Sequence, residues 1–364
     1  LLYSKVYSHR KERQMTNRTI GFDGINPVKA GDIPKLLETK ELYKWIVERH
    51  EIYRRRLAGA PYPWTEDSVL NRYKFTNPFR ENDADTIWMR DYFRPDVLNQ
   101  KVGFCDINHN IVNAALYRMI GTPEFAQEFL AQHRWITKIN YNPELIKKII
   151  KDRIAAKKKC FTGAYIVTNQ GIKAPKADVV IDEFITPLVF VLSLESGIYP
   201  KPWVDNMHSL HERLKVFKGF GGGGFMAYEV VTDVANMPFF NPLTGKMHHP
   251  DQYIEDRYSW ANAGPGAIRG LNRIYGLPYK ARMSQKEALN KMRVIIGHKH
   301  LAHKMAKEKG YEPIEFKDID MRCIEHSLCE FDKYWRVRNK QGKPRSICKY
   351  KVGESNLIKE GPVK

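Results

Sequence analysis

The sequence has few cysteines, no long apolar run and a deficit of acid. Five cysteines are scattered over 364 residues (Cys105, Cys160, Cys323, Cys329 and Cys348), and no two form CxxC. That count and spacing argue against a disulfide framework or a zinc site and fit reduced thiols inside a cell. No stretch of about 18 apolar residues occurs, so no membrane span is expected. There is no internal repeat, and no GK[ST] completes a phosphate-binding loop. Asp and Glu total 41 against 60 Lys and Arg, a net charge of +19. An excess of that size points to a polyanionic partner, nucleic acid before membrane, because binding phosphates releases counterions.

With 43% hydrophobic residues the chain can build a substantial core. Residues 1–35 are polar and basic and read as an N-terminal arm. Helical periodicity covers "LLETKELYKWIVERHEIYRRRLAG", with Leu42, Trp45, Ile46 and Tyr53 on one broad face. Further helices are expected near 83–100, 109–119, 123–136 and 143–158, the last with Leu145, Ile149 and Ile154 inward. Thr65 is the expected N-cap of a helix after "PYPW". "FTGAYIVTNQG" (161–171) is the one strand-like stretch. "VVIDEFITPLVFVLSLES" reads as a buried helix broken near Pro187. "SQKEALNKMRVIIGHKHLAHKMAKEKG" and "DIDMRCIEHSLCEFDKYWRV" are helical, and residues 241–258 read as a long surface loop. The fold class is mainly α, with few short strands, over residues 36–340. Residues 341–364 form a basic tail.

"VFKGFGGGGFMAYEV" places five glycines in six residues. Gly219, Gly221 and Gly224 spell GxGxxG, but the preceding segment is helical, and a dinucleotide fingerprint needs a strand there. A flexible linker would not carry Phe217, Phe220 and Phe225. The favoured reading is a helix-hairpin-helix turn at 217–225. Its exposed backbone N–H groups, with Lys218, Gly219, Gly221 and Gly223, would lie on a DNA phosphate.

Phe217-Lys218-Gly219-Phe220-Gly221, "GAPYPWTEDSVLNRYKFTN" and "AIRGLNRIYGLP" resemble the helix-hairpin-helix DNA glycosylase superfamily, which implies a two-lobed helical fold. Two departures bear on chemistry. Gly223 stands where the lyase-type members carry a nucleophilic lysine. Gly264 stands where the catalytic aspartate is expected, about five residues before Arg269. The ordered blocks "ERHEIYRRRLAGAPYPWTEDSVLNRYKFTNPFRENDADTIW", "FTGAYIV", "FKGFGGGGFMAYEVVTD", "SWANAGPGAIRGLNRI" and "IEHSLCEFDKYWRV" resemble the alpha-glutamyl/putrescinyl thymine pyrophosphorylases, also called amino acid:DNA transferases, of phage thymine hypermodification. The first block also resembles the helical domain attached to 5-hydroxymethyluracil DNA kinases.

The resemblance implies displacement of pyrophosphate from 5-(pyrophosphoryloxymethyl)uracil in DNA by an amino acid or polyamine. It also implies a phage-infected host cell or bacterial cytoplasm, an upstream 5-hydroxymethyluracil DNA kinase as partner, and no cofactor or metal. Arg269, Arg273, Asn262 and Asn272 around "AGPGAIRGLNR" are candidates for the leaving pyrophosphate or for the DNA backbone. Lys74, Asn77 and Arg80 are candidates for the extruded base, with Arg80 able to pair with Asp83. Trp64 reads either as core or as a stacking platform, and Tyr165 either lines the pocket or packs the core. Glu325 or Glu330 is the candidate base, with His326 as a substitute, and Asp332 is a candidate for the incoming ammonium. A base-excision enzyme using Asp256 or Asp233, or a non-catalytic DNA-binding module serving a kinase, remain the alternatives.

Overall fold

The computed structural model describes residues 33–93, 107–161, 167–194, 206–237, 239–241, 246–248, 254–341, 347–348 and 350–353. Pro34–Lys364 cluster as one unit. Helix α1 (Leu36–Leu57) buries Leu42, Tyr43, Trp45, Ile46, Val47 and Ile52. Arg54, Arg55 and Arg56 in its last turn complement the helix dipole. Helix α2 (Ser68–Arg72) starts two residues later than Thr65 would have it: Asp67 is the N-cap and accepts from Val69 and Leu70 N–H at 2.9 Å. The Thr65 hydroxyl instead accepts from Asp67 N and donates to Glu48.

Helix α3 (Ala84–Tyr92) leads to α4 (Ile107–Ile120), whose side chains are buried all round. Thr122 and Asn142, each followed by Pro at the first helical position, cap α5 (Pro123–Gln132) and α6 (Pro143–Ala155). On α6 the inward set is Ile146, Ile149, Ile150 and Arg153, whereas Ile154, expected inside, is 48% exposed. The apolar stretch after Pro175 does not break at Pro187. A short helix α7 (Lys176–Asp178) runs into a π-helical segment (Val179–Ile185) and on through α8 (Thr186–Leu194). The wider turn lets Thr186 N–H and its hydroxyl both reach Ile181 O just before Pro187, whose ring would crowd an ordinary turn.

Helices α9 (Met207–Lys215) and α10 (Phe225–Val234) flank the glycine turn. Strands β1 (Phe239–Asn241) and β2 (Lys246–His248) pair antiparallel, Phe240 opposite Met247, and β2 falls within residues 241–258, which the sequence suggested were loop. Of the expected strand at 161–171, residues 162–166 lie outside the described set, and the rest is not strand.

Helix α11 (Pro265–Tyr275) is followed by α12 (Gln285–Ile296) and α13 (His300–Glu308), which divide at Gly297 a segment that read as one helix. Helix α14 (Met321–Arg338) is capped by Asp320 and buries Ile324, Leu328 and Phe331 completely. It packs most extensively on α11, while α10 packs on α4, and α1 packs on α13 and α14. Ile347 bridges to Tyr73, and Gly353 N–H donates to Tyr62 O, so the described part of the tail lies against the segment around α2.

Candidate active site

The turn between α9 and α10 is built on glycine for two distinct reasons. Gly219 has φ +86°, and a Cβ there would stand 2.7 Å from the Phe184 ring. Gly224 has φ +71° and leaves room for His211, whose Nε2 meets Gly224 O at 3.1 Å. Burial lowers the proton affinity of the His211 imidazole, and its contacts with Gly224 O and the Glu212 carboxylate oppose that. Phe220 is fully buried and anchors the turn. A Cβ at Gly223 would meet nothing within 4 Å. We therefore expect Gly219→Ala to cost about 1–3 kcal/mol and Gly223→Ala to stay within about 0.5 kcal/mol, read from urea unfolding midpoints. Equal losses at both positions would refute this account of the turn.

The turn's cations are already spent on partners: Lys218 pairs with Glu183 at 2.7 Å and Lys215 with Glu212 at 2.9 Å. The segment before α11 braces the turn from the other side. Asn262 Nδ2 donates to Gly223 O at 3.1 Å, and Trp260 packs on His208, His211 and Tyr228. Asp256, a candidate catalytic acid from sequence, has both oxygens committed to the start of α9, accepting from Met207 N at 2.8 Å and His208 N at 2.9 Å. Its carboxylate holds a helix N-terminus.

Gly266 and Gly270, four residues apart on α11, let that helix lie against α14. Added methyl groups there would overlap Cys329 Sγ and Leu328 O. This close approach brings the Glu325 carboxyl to the start of α11, where Oε1 accepts from Gly264 N at 3.3 Å. Glu325 is 7% exposed. Burial pushes its carboxyl up to about 8, helped by Glu229 and opposed by the Gly264 N–H and Arg80. Gly264, where an aspartate was expected, is thus served by a carboxyl from another helix.

Behind Glu325 lies a buried ionic network. Arg80 donates to Glu229 at 2.7 Å and lies 3.5 Å from Asp83. Arg118 pairs with Asp233 through two guanidinium nitrogens and reaches Glu229 at 3.8 Å. Asp233 is therefore a structural counter-ion. Asn77, proposed from sequence to read a base, is 1% exposed: its Oδ1 accepts from Phe79 N and its N–H donates to Asp83. Glu330 accepts from Thr76 N at 3.1 Å and pairs with Lys333 at 2.9 Å. His326 contacts the Thr76 hydroxyl, and burial holds it well below its usual range, so it stays neutral.

Two turns further along α14, Asp332 is buried beneath three arginines. Arg269 Nε donates to it at 3.0 Å, Arg273 Nε at 2.8 Å, and Arg336 Nε lies at 3.3 Å. Both oxygens contact guanidinium, so an incoming ammonium would have to share this carboxylate with three arginines. Asn272 is fully buried and ties down the turn after α11 by donating to Tyr279 O and Ala281 O. Trp64 is a core residue, 4% exposed, its Nε1 donating to Ala60 O. Lys74 is exposed, and Tyr165 lies outside the described residues.

Sequence reasoning missed Arg118, Glu229 and Tyr279. The signal for two of them was present: lone charges inside the apolar helices "IVNAALYRMI" and "FMAYEVVTDV" imply buried partners. Among the described residues no group of three potential ligands could hold a metal ion, and no helix is long and apolar enough to cross a membrane.

Comparison with known proteins bears on this arrangement. The family model for the helical domain of 5-hmdU DNA kinase matches residues 38–344. The 5-hmdU DNA kinase of Bacillus phage SP10 is 26% identical over 309 residues, which cover 80% of this chain and 44% of that protein. The chain thus spans less than half the length of this relative. No solved structure matches it. The matched region takes in the glycine turn, the α11–α14 crossing and the buried network behind it, and the chain belongs to the family of 5-hmdU DNA kinase helical domains.

Proposed function

We propose that the chain is a DNA base hypermodification transferase with a helix-hairpin-helix glycosylase-like, two-lobed fold. It would displace pyrophosphate from 5-(pyrophosphoryloxymethyl)uracil in double-stranded DNA with an amino acid or polyamine. The observation that carries this reading is the Glu325 carboxyl at Gly264 N–H, with its proton affinity raised into the range that suits a general base. The glycine turn holds the DNA backbone through N–H groups, and the modified thymine is extruded toward α11. The amine nitrogen forms a bond to the 5-methylene as the methylene–oxygen bond breaks. The amine proton passes to the Glu325 carboxylate, and pyrophosphate departs toward the arginines of α11. Such a reaction consumes the product of a 5-hydroxymethyluracil DNA kinase and a further phosphoryl transfer, in the cytoplasm of a phage-infected or bacterial cell.

The test is incubation of DNA carrying the pyrophosphorylated base with a panel of amino acids and polyamines. Nucleoside mass spectrometry and pyrophosphate release are the readouts. Transfer would appear as a new nucleoside mass with the glycosidic bond intact. No new mass with any amine would end this reading, and a free base with an abasic site would replace it with base excision. A second reading has support in the family match: a helical module that binds DNA for a kinase. It predicts no turnover on any modified DNA, together with stimulation of the kinase when the two are mixed.

A further inference from the structure

One buried hydroxyl on α10 has no acceptor within the fold. Tyr228 is 7% exposed, and its phenol oxygen is buried with no hydrogen-bond partner among the described residues. A hydroxyl so placed costs stability unless a partner reaches it. Its position follows from the register of two helices. Thr232, one turn further along α10, accepts through its carbonyl from Arg322 Nη1 at 3.2 Å, and Asn236 Oδ1 accepts from Nη2 at 3.2 Å. Arg322 lies one turn before Glu325 on α14, so the helices run opposite ways here and Tyr228 falls across from Glu325. Burial pushes the Tyr228 phenol up, and of the charges around it Glu325 acts first, ahead of Arg322, Asp320 and Glu229. Glu325 is likewise 7% exposed, so the hydroxyl and the carboxyl lie at similar depth. The Tyr228 ring meets Trp260 edge-on at 5.7 Å, and Trp260 stacks on His208 at 5.3 Å.

We propose that the Tyr228 hydroxyl donates to the C4 carbonyl of the extruded pyrimidine and selects for that oxygen. The surroundings call for a neutral acceptor. Glu325, Glu229 and Asp320 would repel a phosphate or a carboxylate, while Arg80 and Arg322 are already paired with Glu229 and Asp320. The aromatic wall of Tyr228 and Trp260 suits a flat ring. C4 is the carbonyl carbon next to C5. A donor across from Glu325 and a base acting at the 5-methylene therefore serve neighbouring positions of one ring. Extrusion frees that carbonyl from its pairing partner. The proposal rests on the transfer reading for the identity of the base and for the role of Glu325.

Binding of the full chain to three duplexes, read by fluorescence anisotropy, tests it. The duplexes differ at one position, which carries 5-hydroxymethyluracil, 5-hydroxymethyl-2-pyrimidinone (no C4 oxygen) or a stable abasic residue. An abasic residue stands opposite in each, so extrusion breaks no base pair. The wild type is expected to bind the first duplex about fivefold or more tightly than the second. Tyr228→Phe should bind those two within about twofold of each other and keep the wild-type affinity for the abasic duplex. Comparing both proteins on both bases cancels the altered ring nitrogen of the pyrimidinone. Tyr228→Phe should also melt no lower than wild type, because it removes a hydroxyl that lacks a partner. A lower melting temperature would mean that the fold itself holds the hydroxyl, and it overturns the proposal. So does a wild type that does not discriminate the two bases, or a variant that still does. Transfer by the wild type without this discrimination sinks the Tyr228 contact alone. Discrimination without transfer leaves the contact standing and removes the chemistry.

Discussion

Glu325→Gln is expected to reduce transfer by about 10²–10⁴-fold and, at the same time, to stabilise the protein. The Glu325 carboxyl is pushed up to about 8 in the folded chain from an ordinary 4.5. Below the unfolded value both states hold the proton and nothing is lost. Between the two values the unfolded chain gives up its proton while the folded chain keeps it, so stability falls as pH rises. Above the folded value the full penalty applies. At neutral pH that penalty is about 3 kcal/mol, and glutamine does not incur it. The variant should therefore melt higher than wild type at neutral pH, and the two should converge in acid. The base is active only when ionised, so wild-type kcat/KM should rise with pH and level off above about 8. Steady-state pH profiles and thermal melts of both proteins check this. A variant with unimpaired transfer and the same pH profile would remove Glu325 from the chemistry.

Arg118→Met is expected to cost about 3–5 kcal/mol of stability, because it strands Asp233 as a buried charge without its partner. The Arg118 side chain is 1% exposed and that of Asp233 0%. Burial already pushes the Asp233 carboxyl up, and Arg118 opposes that shift. Arg118→Met combined with Asp233→Leu should recover most of the loss, since it removes the stranded carboxylate and leaves Glu229 paired with Arg80. Urea unfolding gives the numbers. A single-variant loss below about 1 kcal/mol would mean that water reaches the pair. The result also bears on Asp233 as an alternative catalytic group: activity lost in Asp233→Asn should follow the folded fraction, not a pH profile.

Periodicity and punctuation made much of this legible. Of the apolar stripe Ile324, Leu328, Phe331 and Trp335, the first three are buried completely and Trp335 partly, and Gly219 and Gly224 meet the positive φ and close packing that a tight turn demands. Polar residues were harder to place, because a charge on a helix says nothing about which helix will face it. Glu325, Cys329, Asp332 and Arg336 recur along one face of α14, where ordinary ion pairs in water would serve equally well, yet Glu325 and Asp332 are buried by the approach of α11. Glu325 and Glu330 were both candidate bases in the sequence, and the crossing at Gly266 and Gly270 brings the Glu325 carboxyl to Gly264 N–H while Glu330 accepts from Thr76 N. The oxygens of Asn77 and Asp256, read from sequence as base-reading and catalytic candidates, accept from backbone N–H groups, which sequence does not mark. Pro187 signalled a break, but a π-helical turn absorbs it.

The dependence of the site on α14 also constrains the order in which it can form. Helix α11, with Arg269 and Arg273, emerges from the ribosome well before Asp332 and Glu325 do. Until α14 docks, those arginines lack their counter-ion, and Gly266 and Gly270 leave a bare backbone groove on α11. The nascent chain thus passes through a stage with an unneutralised basic face and no carboxyl at Gly264. Docking of one late helix fills the groove, gives Arg269 and Arg273 their shared carboxylate and brings the Glu325 carboxyl to Gly264 in a single event, so a partly folded chain exposes a basic surface that the folded chain pairs.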